Sequence, residues 1–224
     1  MLKINLSRIS LRQKSKVHKS IIDTDGQRKK SKTKWVQEMI RQKDETSWGK
    51  NGETVHSPQL IVADMNKIGS NSNIMILGPG EGAEVLFMSD LVKKKAKIDT
   101  LGLGNQLTAD AKKIIRTDYS TGLDKIKSKD LFEHFNHLKF VKRYDYIYSA
   151  YGPILHTNYK EISILKVASM LKPGGFARIV PWFEDIDSYN KNIKNVKDYL
   201  KKTGHIDALD FEFEERSLII KRLK

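Results

Sequence analysis

Three glycines at alternate positions, Gly78, Gly80 and Gly82, directly follow the apolar run 74–77 and directly precede an apolar stretch containing Val85, Leu86 and Met88. Few local structures accept that pattern. It reads as a buried strand, a tight turn and the first turn of a helix. Glycine permits positive φ and close backbone approach, while the helix start offers unpaired N–H groups and partial positive charge. This is the arrangement on which nucleotide-like cofactors are held. Glycine triplets also occur in ordinary strand-to-helix turns, so the elements that follow have to decide between the two.

Downstream, residues 145–156 (DYIYSAYGPILH) read as a strand and the loop after it. Residues 165–171 read as a helix, Lys172-Pro-Gly-Gly175 as the turn that stops it, and 176–180 as the next strand. Before the glycines, Ser57 and Pro58 are suited to N-cap and first-turn positions of a helix whose buried face is Leu60, Ile61, Ala63, Met65 and Ile68. Further strands are expected at 97–103 and 113–116, a helix at 131–138, and a helix at 192–202 ended by Gly204. Two antiparallel strands, 206–212 and 215–221, close the chain.

Together, residues 73–84 (NIMILGPGEGAE) and 171–180 (LKPGGFARIV), in this order around 145–156, resemble the cofactor-binding core of class I S-adenosylmethionine-dependent methyltransferases. The resemblance extends from about Ser57 to the C-terminus. It implies an α/β fold, a seven-stranded doubly wound sheet of the class I methyltransferase type over residues 53–224. S-adenosylmethionine is the implied cofactor and methyl transfer the implied activity. The competing nicotinamide-enzyme reading assigns no role to Lys-Pro-Gly-Gly and wants an acid at the end of the second strand.

By the same resemblance, the backbone around Gly78, Pro79, Gly80 and Gly82 passes under the cofactor. Glu84 matches an acidic position inside the following helix, although an exposed glutamate facing the helix dipole accounts for it equally well. Asp118 matches the acidic adenine contact and Tyr119 lies beside the ring; the alternative for Asp118 is a turn aspartate bonded to its own backbone. Ser149 and Ala150 match the loop facing the transferred methyl, and Tyr151 or His156 is placed to accept a proton from the acceptor. A histidine after a strand that is simply hydrogen-bonded is the plainer reading of His156.

Two departures bear on activity. The family's acid on the first strand is replaced by Ile76, and its ribose-binding acid falls at Gly104 or Asn105, where an amide can accept one hydrogen bond and donate another. Asp99 sits too early and on the wrong alternation. The loop also lacks the Asn/Asp-Pro-Pro-aromatic sequence of exocyclic-amine methyltransferases. These departures motivate the alternative of a catalytically inactive methyltransferase-like module that binds RNA or an RNA–protein assembly.

Composition narrows the chemistry further. The 224 residues contain no cysteine, which excludes disulfides, cysteine nucleophiles, Cys-based zinc sites and iron–sulfur clusters. His134 and His137 lie three apart on the expected helix, but no carboxylate is spaced to complete a metal site. The net charge is +14, and residues 1–50 hold fourteen Lys and Arg against five Asp and Glu, so +9 of it falls there. Residues 1–52 therefore read as a basic N-terminal extension of short strand (Leu2, Ile4, Leu6), linker and helix (34–43, with Trp35, Met39 and Ile40 on one face), with 44–52 as loop. An acidic partner such as RNA or a ribonucleoprotein fits that charge, as does a solvated tail. In that loop, Trp48 reads as a packing residue or as a cover over the pocket. No run is long enough for a membrane span, so a soluble, cytoplasmic protein is expected. The acid-free, Ser-containing first 22 residues keep mitochondrial import as the alternative.

Overall fold

The structure, a computed structural model, describes residues 46–48, 54–56, 58–69, 71–92, 95–102, 106–120, 135, 143–150, 152–157, 160–180, 186–214 and 216–224. The extension's expected strand and its helix at 34–43, together with His134 and His137, lie outside them. Of the expected helix at 131–138, Phe135 alone is described, as a buried helical residue.

Among the described residues, seven strands form one sheet in the order β5-β4-β3-β6-β7-β9-β8. They are β3 (Asn73–Leu77), β4 (Lys97–Leu101), β5 (Thr117–Asp118), β6 (Tyr144–Ala150), β7 (Leu171–Val180), β8 (Leu209–Glu214) and β9 (Ser217–Arg222). The first five run parallel, and β9 enters antiparallel between β7 and β8. β3, β4 and β6 are buried almost throughout, as parallel strands covered on both faces must be.

Alternation of side chains along each strand divides the core in two. Met75, Leu77, Ile147, Ile179 and Ile220 meet α5 (Lys160–Met170) and α6 (Ile186–Lys202) on one face. Ile74, Ile76, Tyr146 and Tyr148 meet α1 (Pro58–Met65) and α2 (Ala83–Leu91) on the other. Helix α6 shows the logic at its simplest: Ile193, Val196 and Leu200, spaced three and four apart, are buried, and each contributes about 1.5–3 kcal/mol of apolar burial.

Several sequence expectations need correction. Residues 44–52 are not all loop, because β1 (Thr46–Trp48) pairs antiparallel with β2 (Thr54–His56), the glycine-containing segment 49–53 linking them. The strand expected at 113–116 begins at Thr117 instead. There α3 (Ala109–Lys112) is prolonged by backbone bonds from Lys113, Ile114 and Ile115 to Ala109 and Ala111, which keep the two isoleucines in the helical turn. On α1, Ala63 is exposed and Asp64 takes the inward position. Residues 206–208 form a 3-10 turn before β8, and α6 starts six residues earlier than its apolar pattern predicts.

The Lys172–Gly175 segment behaves as expected in a less expected setting. Leu171 pairs with Tyr144 and Phe176 with Tyr146, so four residues bulge out of the ladder opposite one.

Candidate functional site

The carboxyl ends of β4, β3 and β6 converge on one point, and glycine makes the convergence possible. A Cβ on Gly78 would stand 2.6 Å from Gly152 Cα, and a Cβ on Gly152 would overlap the Leu77 carbonyl oxygen and Ser149 Oγ. The turn after β3 is thus in backbone contact with the loop after β6. On the other side Pro79, itself buried, abuts Gly102 at the end of β4, and the Gly78 amide donates to the Leu101 carbonyl at 2.7 Å.

Gly78, Gly80 and Gly82 all have positive φ, at 76°, 53° and 96°. Gly80 differs from its neighbours in having nothing within 4 Å of where its Cβ would stand. The crest of the turn faces open space, and no backbone hydrogen bond runs from the Gly80 or Glu81 amide to a described residue. Gly82 caps α2 in the left-handed conformation. Glu84, in the first turn of α2, is buried, which overturns the reading of an exposed glutamate on the helix dipole.

Ser149 and Ala150 end β6 and are buried. Ser149 Oγ has no hydrogen-bond partner among the described residues, an uncommon state for a fully buried hydroxyl. It sits beside Gly152 and the Leu77 carbonyl, at the point where the three strand ends meet. Polar ligand atoms are a natural complement to such a group.

On β5, three strands from β6, Asp118 Oδ1 accepts from Thr100 Oγ1 and from the Ser120 amide, both at 3.0 Å. The second bond is the side-chain-to-backbone turn that sequence alone allowed for this aspartate. Tyr119 packs against the α5/α6 core cluster, close to the Tyr144 hydroxyl. The structure therefore brings together Gly78, Pro79, Ser149 and Ala150, places Gly80 at their open edge and Glu84 just inside α2, and leaves Asp118 and Tyr119 beside β4. Asn105, Gly104 and Tyr151 lie outside the described residues, as does the side chain of His156 at the end of α4 (Pro153–His156).

Asp99 is committed elsewhere. Wholly buried, it accepts from Arg116 Nε at 2.8 Å, from Arg116 Nη2 at 2.6 Å and from the Tyr144 hydroxyl at 3.0 Å. Burial first, and the Asp99 charge second, hold the Tyr144 phenol far above its ordinary value.

A second buried charge network eluded the sequence reading. Arg178 in β7 donates from Nε and Nη2 to Asp64 of α1 at 2.5 and 2.8 Å, and the Tyr146 hydroxyl donates to Asp64 at 2.9 Å. Arg178 Nη2 also reaches Glu214 at 3.2 Å, while Nη1 is buried without a partner among the described residues. Burial opposes the Arg178 charge, but Asp64, Tyr146 and Glu214 outweigh it and the guanidinium stays protonated. The available signal was a charge at an apolar position in each element: Asp64 three residues after Ile61, and Arg178 inside the run 176–180. Among the described residues, no cluster of acids and histidines is suited to a metal ion.

No protein-family model matches the sequence, and no curated protein matches it either. Solved structures do. A Clostridium thermocellum protein assigned as an rRNA methylase superposes with a TM-score of 0.49 at 11% identity, covering 74% of this chain and 94% of its own. The SAH-bound methyltransferase PaMTH1 of Podospora anserina gives 0.44 at 11% identity over 99% and 98% of the two chains. Fibrillarin of Aeropyrum pernix, solved with natively bound S-adenosyl-L-methionine, gives 0.42 at 15% identity over 72% and 73%. At these identities the likeness is one of fold. The strand order, with β9 reversed between β7 and β8 and helices on both faces, is the seven-stranded doubly wound arrangement that the sequence resemblance implied.

Proposed function

We propose that this chain is an S-adenosylmethionine-dependent methyltransferase acting on RNA or a ribonucleoprotein component. The observation that carries the cofactor assignment is the pairing, at the junction of β3, β4 and β6, of the open Gly80 crest with the buried Ser149 hydroxyl, which has no partner among the described residues and meets the same Gly152 that abuts Gly78. A ligand with polar groups and a flat, extended body fits a surface from which side chains have been removed by glycine. In doubly wound sheets, ligands bind at the carboxyl ends of the strands where the strand order reverses, which is between β3 and β6 here.

When bound, S-adenosylmethionine supplies a methyl group on an activated sulfonium, and the acceptor's lone pair displaces the thioether in line. The protein's share is alignment and exclusion of water. The Gly78–Gly82 turn provides backbone for close approach, and Ser149 provides one hydrogen bond. Tyr151 or His156 is proposed to take the acceptor's proton, and Asn105 to stand in for the ribose-binding acid. The position of the usual first-strand acid holds Ile76, buried between Thr100 and Tyr148. The acceptor assignment rests on the basic charge of residues 1–50, to which we also assign the recruiting role.

Calorimetric titration with S-adenosylmethionine and S-adenosylhomocysteine tests the proposal, with Gly80→Leu as the discriminating variant. A leucine there meets open space, so the fold should lose only about 1–2 kcal/mol from positive φ while the cofactor's path is blocked. Micromolar binding of both ligands by the parent, abolished in the variant, is the expected result. No heat from the parent at millimolar ligand would overturn the cofactor assignment.

A further inference from the structure

The turn after β3 is closed by the Gly82 amide, which donates to the Pro79 carbonyl at 2.8 Å, so Gly80 and Glu81 are the two central residues at its tip. Their amides donate to no backbone carbonyl among the described residues. Glu81 is exposed, and its carboxylate forms no ion pair or hydrogen bond with a described residue. The turn is nonetheless fixed in place. The Glu81 carbonyl accepts from the Thr108 amide at 3.0 Å, and Gly82 packs so closely on α3 that a Cβ there would stand 2.5 Å from the Ala111 Cβ. Two N–H donors and one carboxylate, carried by consecutive residues, therefore stand unused on a rigid turn. Because one of the amides belongs to Glu81 itself, donor and acid share a Cα and cannot be far apart.

Other acids near this turn are committed. Glu84 is buried and has a partner, and Asp118 holds Thr100 and the Ser120 amide. Strand β3 contains no acid. Glu81 is thus the carboxylate of the turn that a ligand can reach.

The pairing of donors with an acid narrows the occupant. An inorganic anion would use the amides but be repelled by Glu81. A metal ion would find Glu81 alone, since among the described residues no group of acids and histidines is suited to one. An α-amino acid zwitterion uses both, its carboxylate on the N–H groups and its ammonium on the side chain. The chain's net charge of +14 opposes a ligand ammonium, which gives a local carboxylate a purpose. Independently of the turn, the buried Ser149 hydroxyl, with no partner among the described residues, marks the same strand junction as a ligand site.

We propose that the Gly80–Glu81 tip seats the amino-acid end of S-adenosylmethionine, with the ligand carboxylate on the two amides and its ammonium on the Glu81 side chain. The inference rests on the cofactor reading given above and assigns it a binding residue on this chain.

Titration of the full chain with S-adenosylmethionine, S-adenosylhomocysteine and 5′-methylthioadenosine tests it, because the last keeps the nucleoside and thioether but lacks the amino-acid end. Glu81→Gln should weaken the first two about fivefold, the size of a solvent-screened charge pair, and leave 5′-methylthioadenosine unchanged. The loss should shrink at about 1 M salt. Glu81→Asp keeps the charge and should retain most of the parental affinity. Parental affinity of Glu81→Gln for S-adenosylhomocysteine would overturn the inference, as would an equal loss on 5′-methylthioadenosine. A lower unfolding midpoint with unchanged affinities would also overturn it, leaving the carboxylate to the N-terminal dipole of α2 alone. If the parent binds none of the three, the cofactor reading falls and this inference with it, a result distinct from a parent and variant that bind equally.

Discussion

Asp64 and Arg178 are the pair of residues on which the α1 side of the sheet most depends. Both are essentially inaccessible to solvent, and each is the other's main partner, so neither charge is tolerable alone. Asp64→Ala should lower stability by about 3–5 kcal/mol in urea titrations, because it leaves a buried guanidinium with only Tyr146 and half-exposed Glu214 nearby. The paired change Asp64→Leu with Arg178→Met should recover most of that loss. A full-sized loss in the double variant would mean that the pair contributes net stability beyond mutual compensation. The Ser149 hydroxyl is the opposite case: it has no hydrogen-bond partner among the described residues, which is why we propose it as a ligand contact.

Among the elements, α6 depends on how it ends. Gly204 has φ 72°, the His205 amide donates to the Leu200 carbonyl at 2.7 Å, and the Gly204 amide donates to Lys201, closing the last turn before the chain reverses into β8. Open space surrounds the Gly204 Cα on its side-chain side, so Gly204→Ala meets no clash and reports conformational strain alone. A loss of about 1–2 kcal/mol in thermal or chemical unfolding is expected, with ligand binding unchanged. The same element shows why its start was misjudged from sequence. The apolar spacing 193, 196 and 200 marks only the buried stripe, and the first turns from Ile186 carry polar residues that a periodicity reading ends too soon.

For the molecule as a whole, the two buried tyrosines couple the fold to alkaline pH. Tyr144 and Tyr146 are held above their ordinary value of 10.0 by burial first, and then by the nearby Asp99 and Asp64 respectively. Their stabilising contribution is full below pH 10 and is lost as pH rises above it, because the unfolded chain releases phenolic protons that the folded chain retains. Stability should fall by about 1.4 kcal/mol per pH unit for each tyrosine above that point. Urea midpoints measured between pH 8 and 11.5 check this. Tyr146→Phe should flatten the slope while costing some stability through the lost bond to Asp64.

What sequence determined was order and type: strand β3 into the glycine turn, the strand at 145–150 (though 153–156, expected as loop, form α4), the Lys-Pro-Gly-Gly stop, and the closing antiparallel pair. These are set by local periodicity and by residues whose backbone preferences are strong, which is why they survive without tertiary context. The strand at 113–116 failed because Ile114 and Ile115 have strand-like side chains, and only the helical bonds back to Ala109 and Ala111 decide against them. Asp118 illustrates a finer limit, since sequence allowed both a ligand contact and a backbone turn, and packing revealed the turn bond. Tertiary structure alone decided what joins distant segments: Gly152 against Gly78, Tyr119 against Tyr144, and Asp64 against Arg178. Those contacts depend on strand register and helix placement across the sheet, and no local preference in the chain encodes them.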